Sequence, residues 1–109
     1  MFSELDWPIR PVEVRVDQAP KTIDRDVEII NKQGLHARPV MRFVDLASQY
    51  KADLTVDKCG RQVDGRSPMD MMTLEAPQGT QLRLSATGDD AEELINALAM
   101  LIADRFGEE

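Results

Sequence analysis

The segment Gly34-Leu35-His36-Ala37-Arg38-Pro39 joins a glycine-containing turn to the start of a helix, and the fold can be worked out from it in both directions. Downstream, five apolar residues recur at the spacing of one helix face, which predicts an amphipathic helix over residues 37–50. These residues are Val40, Phe43, Val44, Ala47 and Tyr50. Upstream, the β-branched run at residues 27–31 predicts a strand. The quoted segment therefore connects a first strand to a first helix.

The next part of the chain predicts a β-hairpin and a short helix. Apolar and polar residues alternate over residues 53–57, and the turn-forming residues 58–61 precede a return strand. Ser67 directly before Pro68 has the pattern of a helix N-cap followed by the first helical position. We expect the short helix to cover residues 69–74.

The last third of the chain predicts one more strand and a long terminal helix. Apolar residues alternate over residues 82–86, and Asp89 and Glu92 then have the spacing of a capping box. Gly107 is placed to end the helix. The apolar stripe consists of Leu94, Ile95, Leu98, Leu101, Ile102 and Phe106.

This order of elements predicts an α+β fold in two layers, with the helices on one face of a mainly antiparallel sheet. Residues 26–107 would form this domain, and residues 1–25 an N-terminal extension. Three of the six prolines fall in the extension. Within it, Val12, Val14 and Val16 alternate with charged residues and predict one additional strand, whose pairing stays open.

Composition excludes several classes of function. A chain of 109 residues has the usual size of a single domain, and its net charge of −7 disfavours nucleic acid as a partner. No apolar run approaches the roughly 20 residues that span a bilayer, and the N-terminus does not resemble a signal peptide, so we expect a cytoplasmic protein. One cysteine, Cys59, and one histidine, His36, cannot supply a disulfide or a metal-ligand set, and no cofactor is predicted.

His36 is the best candidate for chemistry because it precedes the first turn of a helix. The backbone N–H groups of Ala37 and Arg38 lack partners within the helix, and together with the helix dipole they form an anion site. The Arg38 guanidinium can bind phosphate oxygens, and a neutral imidazole is a nucleophile. The residues alone allow two interpretations, a histidine that becomes phosphorylated and a histidine that only caps a helix.

The segment Gly34-Leu35-His36-Ala37-Arg38-Pro39 resembles the active-site signature of the histidine-containing phosphocarrier protein (HPr) family of the bacterial phosphotransferase system. The resemblance extends over about residues 26–106, and Gln78-Gly79-Thr80 resembles the family's turn before the last strand. It implies an open-faced sandwich in which three helices cover one face of a four-stranded antiparallel sheet. The family carries phosphoryl groups and catalyses nothing alone.

The resemblance also implies roles for individual residues. His36 would accept a phosphoryl group on Nδ1 from phospho-enzyme I, which is charged by phosphoenolpyruvate, and pass it to an enzyme IIA domain. Arg38 and the backbone of Ala37 would bind the phosphate. Ser67 matches the family's regulatory serine, the target of an HPr kinase/phosphorylase. Met41, Met69 and Met72 would flank His36 and form the partner surface.

Four positions depart from the family pattern. Asp45 and Ser48 stand where relatives commonly carry lysines that dock onto acidic partners, and Pro68 directly after the serine is unusual. Glu75 stands where relatives usually have glycine, and its carboxylate could repel the phosphate or point into water. An alternative to the carrier is therefore a regulatory protein-binding module that uses the methionine surface and is switched by phosphorylation of Ser67.

Overall fold

The computed structural model describes residues 21–108, which form four β-strands, three α-helices and a closing 3-10 turn. In chain order these are β1 (Thr22–Glu28), α1 (Ala37–Ala47), β2 (Asp53–Lys58), β3 (Arg61–Asp64), α2 (Pro68–Met72), β4 (Gln81–Thr87), α3 (Ala91–Ala103) and the turn Arg105–Gly107. The additional strand predicted around Val12, Val14 and Val16 lies outside the described residues.

The strands form one antiparallel sheet in the order β1-β4-β2-β3. The central strand β4 pairs with β1 over its whole length, from Thr87 opposite Thr22 to Gln81 opposite Glu28. Alternate residues of β4 are buried, as expected for a sheet with one face covered and the other open to water. The α+β architecture predicted from the sequence is confirmed.

The three helices enclose a single core against the sheet. Helix α3 contacts β1 and β4, α2 contacts β3, and α1 contacts both other helices. The predicted apolar stripes of α1 and α3 supply much of this core. Its largest fully buried apolar side chains are Phe43, Phe106, Ile29, Met71, Leu74, Leu84, Leu94, Ile95, Leu98, Val40 and Val56. None of the described helices is long and apolar enough to cross a membrane.

The first strand was predicted at residues 27–31 and lies instead at Thr22–Glu28. Pairing with β4 decides its position, because each residue of β1 finds a partner there despite a mostly polar sequence. Residues 22–25 therefore belong to the sheet rather than to the extension. Ile29 follows the strand, is fully buried, and donates its backbone N–H to the Thr80 carbonyl at 2.9 Å.

Helix α1 was predicted to reach residue 50 and ends at Ala47. The next residues form a tighter turn, in which Gln49 N–H donates to Leu46 O and Tyr50 N–H to Ala47 O, both at 3.1 Å. Tyr50 still packs against the core from this turn, which explains why it fits the helical stripe.

Helix α2 begins as predicted and ends sooner. Ser67 is the N-cap, Pro68 is the first helical residue, and Ser67 Oγ accepts the Asp70 N–H at 3.2 Å. The helix stops at Met72 rather than at residue 74. Leu74 lies just beyond it and is buried, so the apolar position was predicted correctly although its conformation was not.

Both ends of α3 differ from the prediction. The N-cap is Asp90 rather than Asp89, and its carboxylate accepts the backbone N–H groups of Lys51 and Ala52, at 2.8 and 2.9 Å, instead of capping its own helix. The capping box predicted from Asp89 and Glu92 was therefore wrong. The helix ends at Ala103, and Phe106 reaches the core from the 3-10 turn that follows.

Candidate functional site

His36 is the N-cap residue of α1, and its side chain makes no capping hydrogen bond. Its backbone carbonyl accepts the Val40 N–H at 3.0 Å, which begins the helical ladder. The side chain is 39% exposed. The ring therefore has no role in capping the helix, and it remains accessible at a helix N-terminus, where anions are stabilised.

The loop before His36 is held by backbone contacts that require a glycine. Gly34 has a φ of +72°, and a Cβ at this position would lie 2.6 Å from the Ala76 carbonyl oxygen and 2.8 Å from Pro77 Cα. The adjacent Leu35 donates its N–H to that same Ala76 oxygen at 2.8 Å. The loop thus fits closely against residues 76–77, which fixes the point at which α1 begins.

Asn31 fixes the same loop from inside the protein. Its side chain is fully buried, and Nδ2 donates to the Gly34 carbonyl at 2.7 Å, while Gly34 N–H donates to the Asn31 carbonyl at 3.1 Å. The Gly34 carbonyl also accepts the His36 N–H at 3.1 Å. The Gly34 carbonyl therefore links Asn31 to His36 through two hydrogen bonds. The sequence analysis did not identify this role of Asn31.

Among residues 21–108, three cationic side chains and one carboxylate line the groove in which His36 lies. The groove is lined by Lys32, Gln33, His36, Ala37, Arg38, Met41, Arg42, Gly107 and Glu108. The predicted pair of His36 and Arg38 is thus brought together. The excess of positive charge, added to the helix N-terminus, suits this groove to an anion although the whole chain has a net charge of −7.

Arg42 and Glu108 are two groove residues that the sequence analysis did not select. Arg42 is four residues after Arg38 on α1, so helical spacing could have placed it on the same face. Glu108 follows the 3-10 turn, and its Oε1 lies 3.4 Å from His36 Nε2. No local pattern could have found this contact, because the two residues are 72 positions apart.

The three predicted partner-surface methionines are all exposed, on two helices that pack against each other. Met41 lines the groove with His36. Met69 and Met72 lie on α2, which packs against α1, and neither lines the groove. That Met69 and Met72 also flank His36 stays a prediction. Met71 lies between Met69 and Met72 in the sequence and is fully buried. Met100 on α3 is a further exposed methionine.

Ser67 lies outside the groove and near two acidic residues, Asp64 and Asp70. Its hydroxyl oxygen caps α2 through the Asp70 N–H, and the Asp70 carboxylate lies 3.4 Å from the Asp64 backbone nitrogen. The Asp64 carboxylate in turn accepts the Arg66 N–H at 2.9 Å. A negative group on Ser67 would therefore meet two neighbouring carboxylates.

Glu75 lies outside the groove that contains His36. It has a φ of +54°, a conformation that favours glycine, and its side chain is exposed and outside the groove. Lys58 Nζ donates to the carbonyls of Leu74 and Glu75, each at 2.8 Å, and so holds the chain in this conformation. Within residues 21–108, no three histidine, cysteine or acidic side chains are grouped to hold a metal ion.

Fold and site together define a small α+β protein that presents one imidazole at a helix N-terminus in a cation-lined groove. The family model described as the PTS HPr component phosphorylation site matches residues 23–104 of the chain. The phosphocarrier protein HPr of Cupriavidus necator is 43% identical over 86 residues, which are 79% of this chain and 97% of that protein. The HPr of Pseudomonas aeruginosa is 43% identical over 84 residues, covering 76% and 93% of the two chains.

The solved structures that are similar to this chain belong to the same family as its sequence relatives. The crystal structure of HPr-C-His from Thermoanaerobacter tengcongensis is similar with a TM-score of 0.77 and 46% identity, covering 80% of this chain and 98% of that one. The chain belongs to the HPr family. Its role is that of a phosphocarrier of the phosphotransferase system, rather than of a catalyst in the usual sense.

Proposed function

We propose that His36 accepts a phosphoryl group on Nδ1 from phospho-enzyme I, which is charged by phosphoenolpyruvate, and passes it to an enzyme IIA domain. The relay would operate in the cytoplasm, in a sugar or regulatory phosphotransferase system. The observation that carries this proposal is the His36 ring, which is partly exposed at the N-terminus of α1 and makes no capping bond.

The phosphate is stabilised by groups that α1 places beside His36. Backbone N–H groups of Ala37 and Arg38 belong to the first turn, where they have no acceptor within the helix. The Arg38 guanidinium lines the groove and can bind two phosphate oxygens at once. These groups bind charge but supply no acid or base, so the in-line geometry of transfer depends on the partner that docks.

The partner surface consists of Met41, Met69 and Met72, the exposed methionines of α1 and α2. Methionine side chains adapt to different apolar surfaces, which suits a carrier that meets a donor and an acceptor in turn. Asp45 on α1 is exposed where relatives commonly have a lysine. We therefore expect a partner whose docking surface is less acidic than that of other enzymes I.

Incubation of the full chain with enzyme I and phosphoenolpyruvate tests the proposal. Wild type should take up acid-labile, base-stable phosphate, and His36→Ala should take up none while unfolding at the same temperature. Gln49→Ala, at an exposed position in the turn after α1, is the matched control and should be phosphorylated like wild type. Failure of the wild type to take up phosphate from its own enzyme I would contradict the carrier function.

We further propose that Ser67 is a regulatory site for an HPr kinase/phosphorylase. Phosphorylation would add nearly two negative charges close to Asp64 and Asp70 and would weaken the docking of α2 to partners. The alternative function, a binding module switched at Ser67, rests on the same surface. Binding of a target that is lost in Met69→Asp but unchanged in His36→Ala would favour the module over the carrier.

A further inference from the structure

The segment after α3, residues 105–108, is held against the groove by several contacts. Phe106 is fully buried, and its carbonyl accepts a hydrogen bond from Arg42 Nη1 at 2.6 Å. Arg105, Phe106 and Gly107 all have positive φ, which turns the chain back after α3. Glu108 N–H then donates to the Arg105 carbonyl at 2.9 Å. The turn at residues 105–107, which is anchored through Phe106 and Arg42, therefore places Glu108 in the groove.

The Glu108 carboxylate reaches one particular nitrogen of His36. Its Oε1 lies 3.4 Å from Nε2, and only 16% of the Glu108 side chain is exposed. Within the described part of the chain, Nδ1 makes no hydrogen bond. The distance is long for a hydrogen bond between charged groups, and such contacts at reactive groups commonly shorten when the reacting partner binds.

We propose that Glu108 is a positioning residue, which holds the proton of the neutral His36 ring on Nε2 and so leaves the nucleophilic lone pair on Nδ1. The inference rests on the proposed function of His36. It follows from the chemistry of imidazole, because the hydrogen bond made by one ring nitrogen determines which nitrogen carries the proton. A carboxylate can only accept, so the nitrogen that faces it is the one that donates.

In the transfer step, the lone pair of Nδ1 forms a bond to phosphorus while the bond from phosphorus to the donor breaks. The electron pair of that bond leaves with the donor, and the proton stays on Nε2. The ring thereby becomes a cationic phosphoimidazole, and the Glu108 carboxylate lies beside the new positive charge. When the acceptor takes the phosphoryl group, the pair on the N–P bond returns to Nδ1 and the original tautomer is restored.

A carboxylate in a phosphate-binding groove also repels the incoming group, and the location of Glu108 limits this cost. It faces Nε2, whereas the phosphoryl group attaches to Nδ1 across the ring. Of the groove residues that the structure describes, three are cations, Lys32, Arg38 and Arg42, and Glu108 is the one carboxylate. The groove therefore stays attractive to an anion while one nitrogen is assigned as the donor.

The tautomer is measured directly by 15N NMR of the imidazole in the full chain, at a pH where the ring is neutral. Wild type should show the proton on Nε2. Glu108→Gln keeps an acceptor oxygen and should preserve this tautomer, whereas Glu108→Ala should lower the Nε2–H fraction. Glu93→Ala removes an exposed carboxylate of α3 and is the matched control, with a wild-type tautomer. An unchanged tautomer in Glu108→Ala would overturn the proposal.

Phosphorylation rates with enzyme I and phosphoenolpyruvate supply the second readout. Glu108→Ala should slow transfer to His36 about three- to tenfold, the range expected for one hydrogen bond. Arg42→Ala releases the Phe106 carbonyl and should lower both the Nε2–H fraction and the rate in the same direction. A wild-type rate in Glu108→Ala would contradict the positioning role of Glu108 and would leave the carrier function of His36 untouched. A wild type that accepts no phosphate would contradict the carrier function, while the NMR result would still decide the tautomer.

Discussion

At the scale of single residues, the site depends on backbone geometry before His36 as much as on His36 itself. Gly34 lies against the carbonyl of Ala76, and the buried side chain of Asn31 holds the Gly34 carbonyl from the other side. The loop is therefore confined on two sides. Its conformation determines where the imidazole emerges, so substitutions here should affect stability and phosphate acceptance together.

Gly34→Ala tests this confinement. The new Cβ would have a positive φ and a backbone oxygen 2.6 Å away, so we expect the free energy of unfolding to fall by about 2–4 kcal/mol in urea denaturation. Gly79→Ala is the matched control, because Gly79 also has a positive φ but nothing lies within 4 Å of the added Cβ. Equal losses of unfolding free energy in the two variants would show that the close contact with Ala76 does not contribute to the cost of Gly34→Ala.

Asp90 provides a second prediction at this scale, on pH dependence. The backbone N–H of Lys51, joined by that of Ala52, lowers the pKa of the Asp90 carboxyl against the opposing effect of desolvation. A lowered pKa in the folded state means that stabilisation is complete above the unfolded value of about 3.9 and is lost as pH falls through the folded value. The stability advantage of wild type over Asp90→Ala should therefore be constant at neutral pH and shrink below about pH 4.

Urea denaturation of the two proteins at a series of pH values measures this difference. Asp89→Ala, which removes the exposed neighbouring carboxylate, is the control for the change in net charge. An Asp90→Ala difference that does not shrink in acid would contradict the assignment of a stabilising contact to the ionised carboxylate.

At the scale of elements, the five residues of α2 both pack against the core and present methionine side chains on the surface. The cap at Ser67 and the proline at the first position start it, and one methionine attaches it to the core while two others remain on the surface. The short helix is thus stabilised by packing rather than by its own hydrogen bonds, since isolated helices of this length are not stable in water.

Met71 and Met72 are adjacent residues that test this division. Met71 is fully buried, so Met71→Ala should lower the free energy of unfolding by about 2–5 kcal/mol. Met72 is 49% exposed, so Met72→Ala should change it by less than about 1 kcal/mol. Chemical denaturation of the pair gives the comparison. Similar losses in both variants would mean that the two side chains have similar surroundings in solution.

At the scale of the whole molecule, residues 21–108 contain a four-stranded sheet and a closed hydrophobic core. The four-stranded sheet is formed between Thr22 and Thr87, and the buried core is formed between Ile29 and Phe106. The Cupriavidus necator relative is matched over 97% of its length by 79% of this chain. An HPr fold therefore requires no counterpart of the extension.

Deletion of residues 1–20 should leave a protein that unfolds cooperatively, with a free energy of unfolding within about 1 kcal/mol of the full chain. His36 should accept phosphate at the same rate in both proteins. Urea denaturation and the enzyme I assay measure the two properties. A loss of several kcal/mol would instead indicate that the strand predicted at Val12, Val14 and Val16 pairs with the sheet and belongs to the domain.

The sequence alone was sufficient for features that depend on neighbouring residues. Helical and strand periodicity predicted the order of the elements, the stripe of α1 and the alternation of β4, because these patterns reflect which side of an element is buried. Ser67 and Pro68 predicted the start of α2 for the same local reason. The position of His36 before a helix was also evident from the residues that follow it.

Contacts between distant segments were decided by tertiary structure. The beginning of β1 depends on its pairing with β4, and the carboxylate of Asp90 serves Lys51 and Ala52 rather than its own helix. The contact of Glu108 with His36 joins residues 72 positions apart and requires the buried Phe106 to bring the chain end back. Sequence patterns report local conformation and burial, whereas these contacts exist only after packing has set the distances between elements.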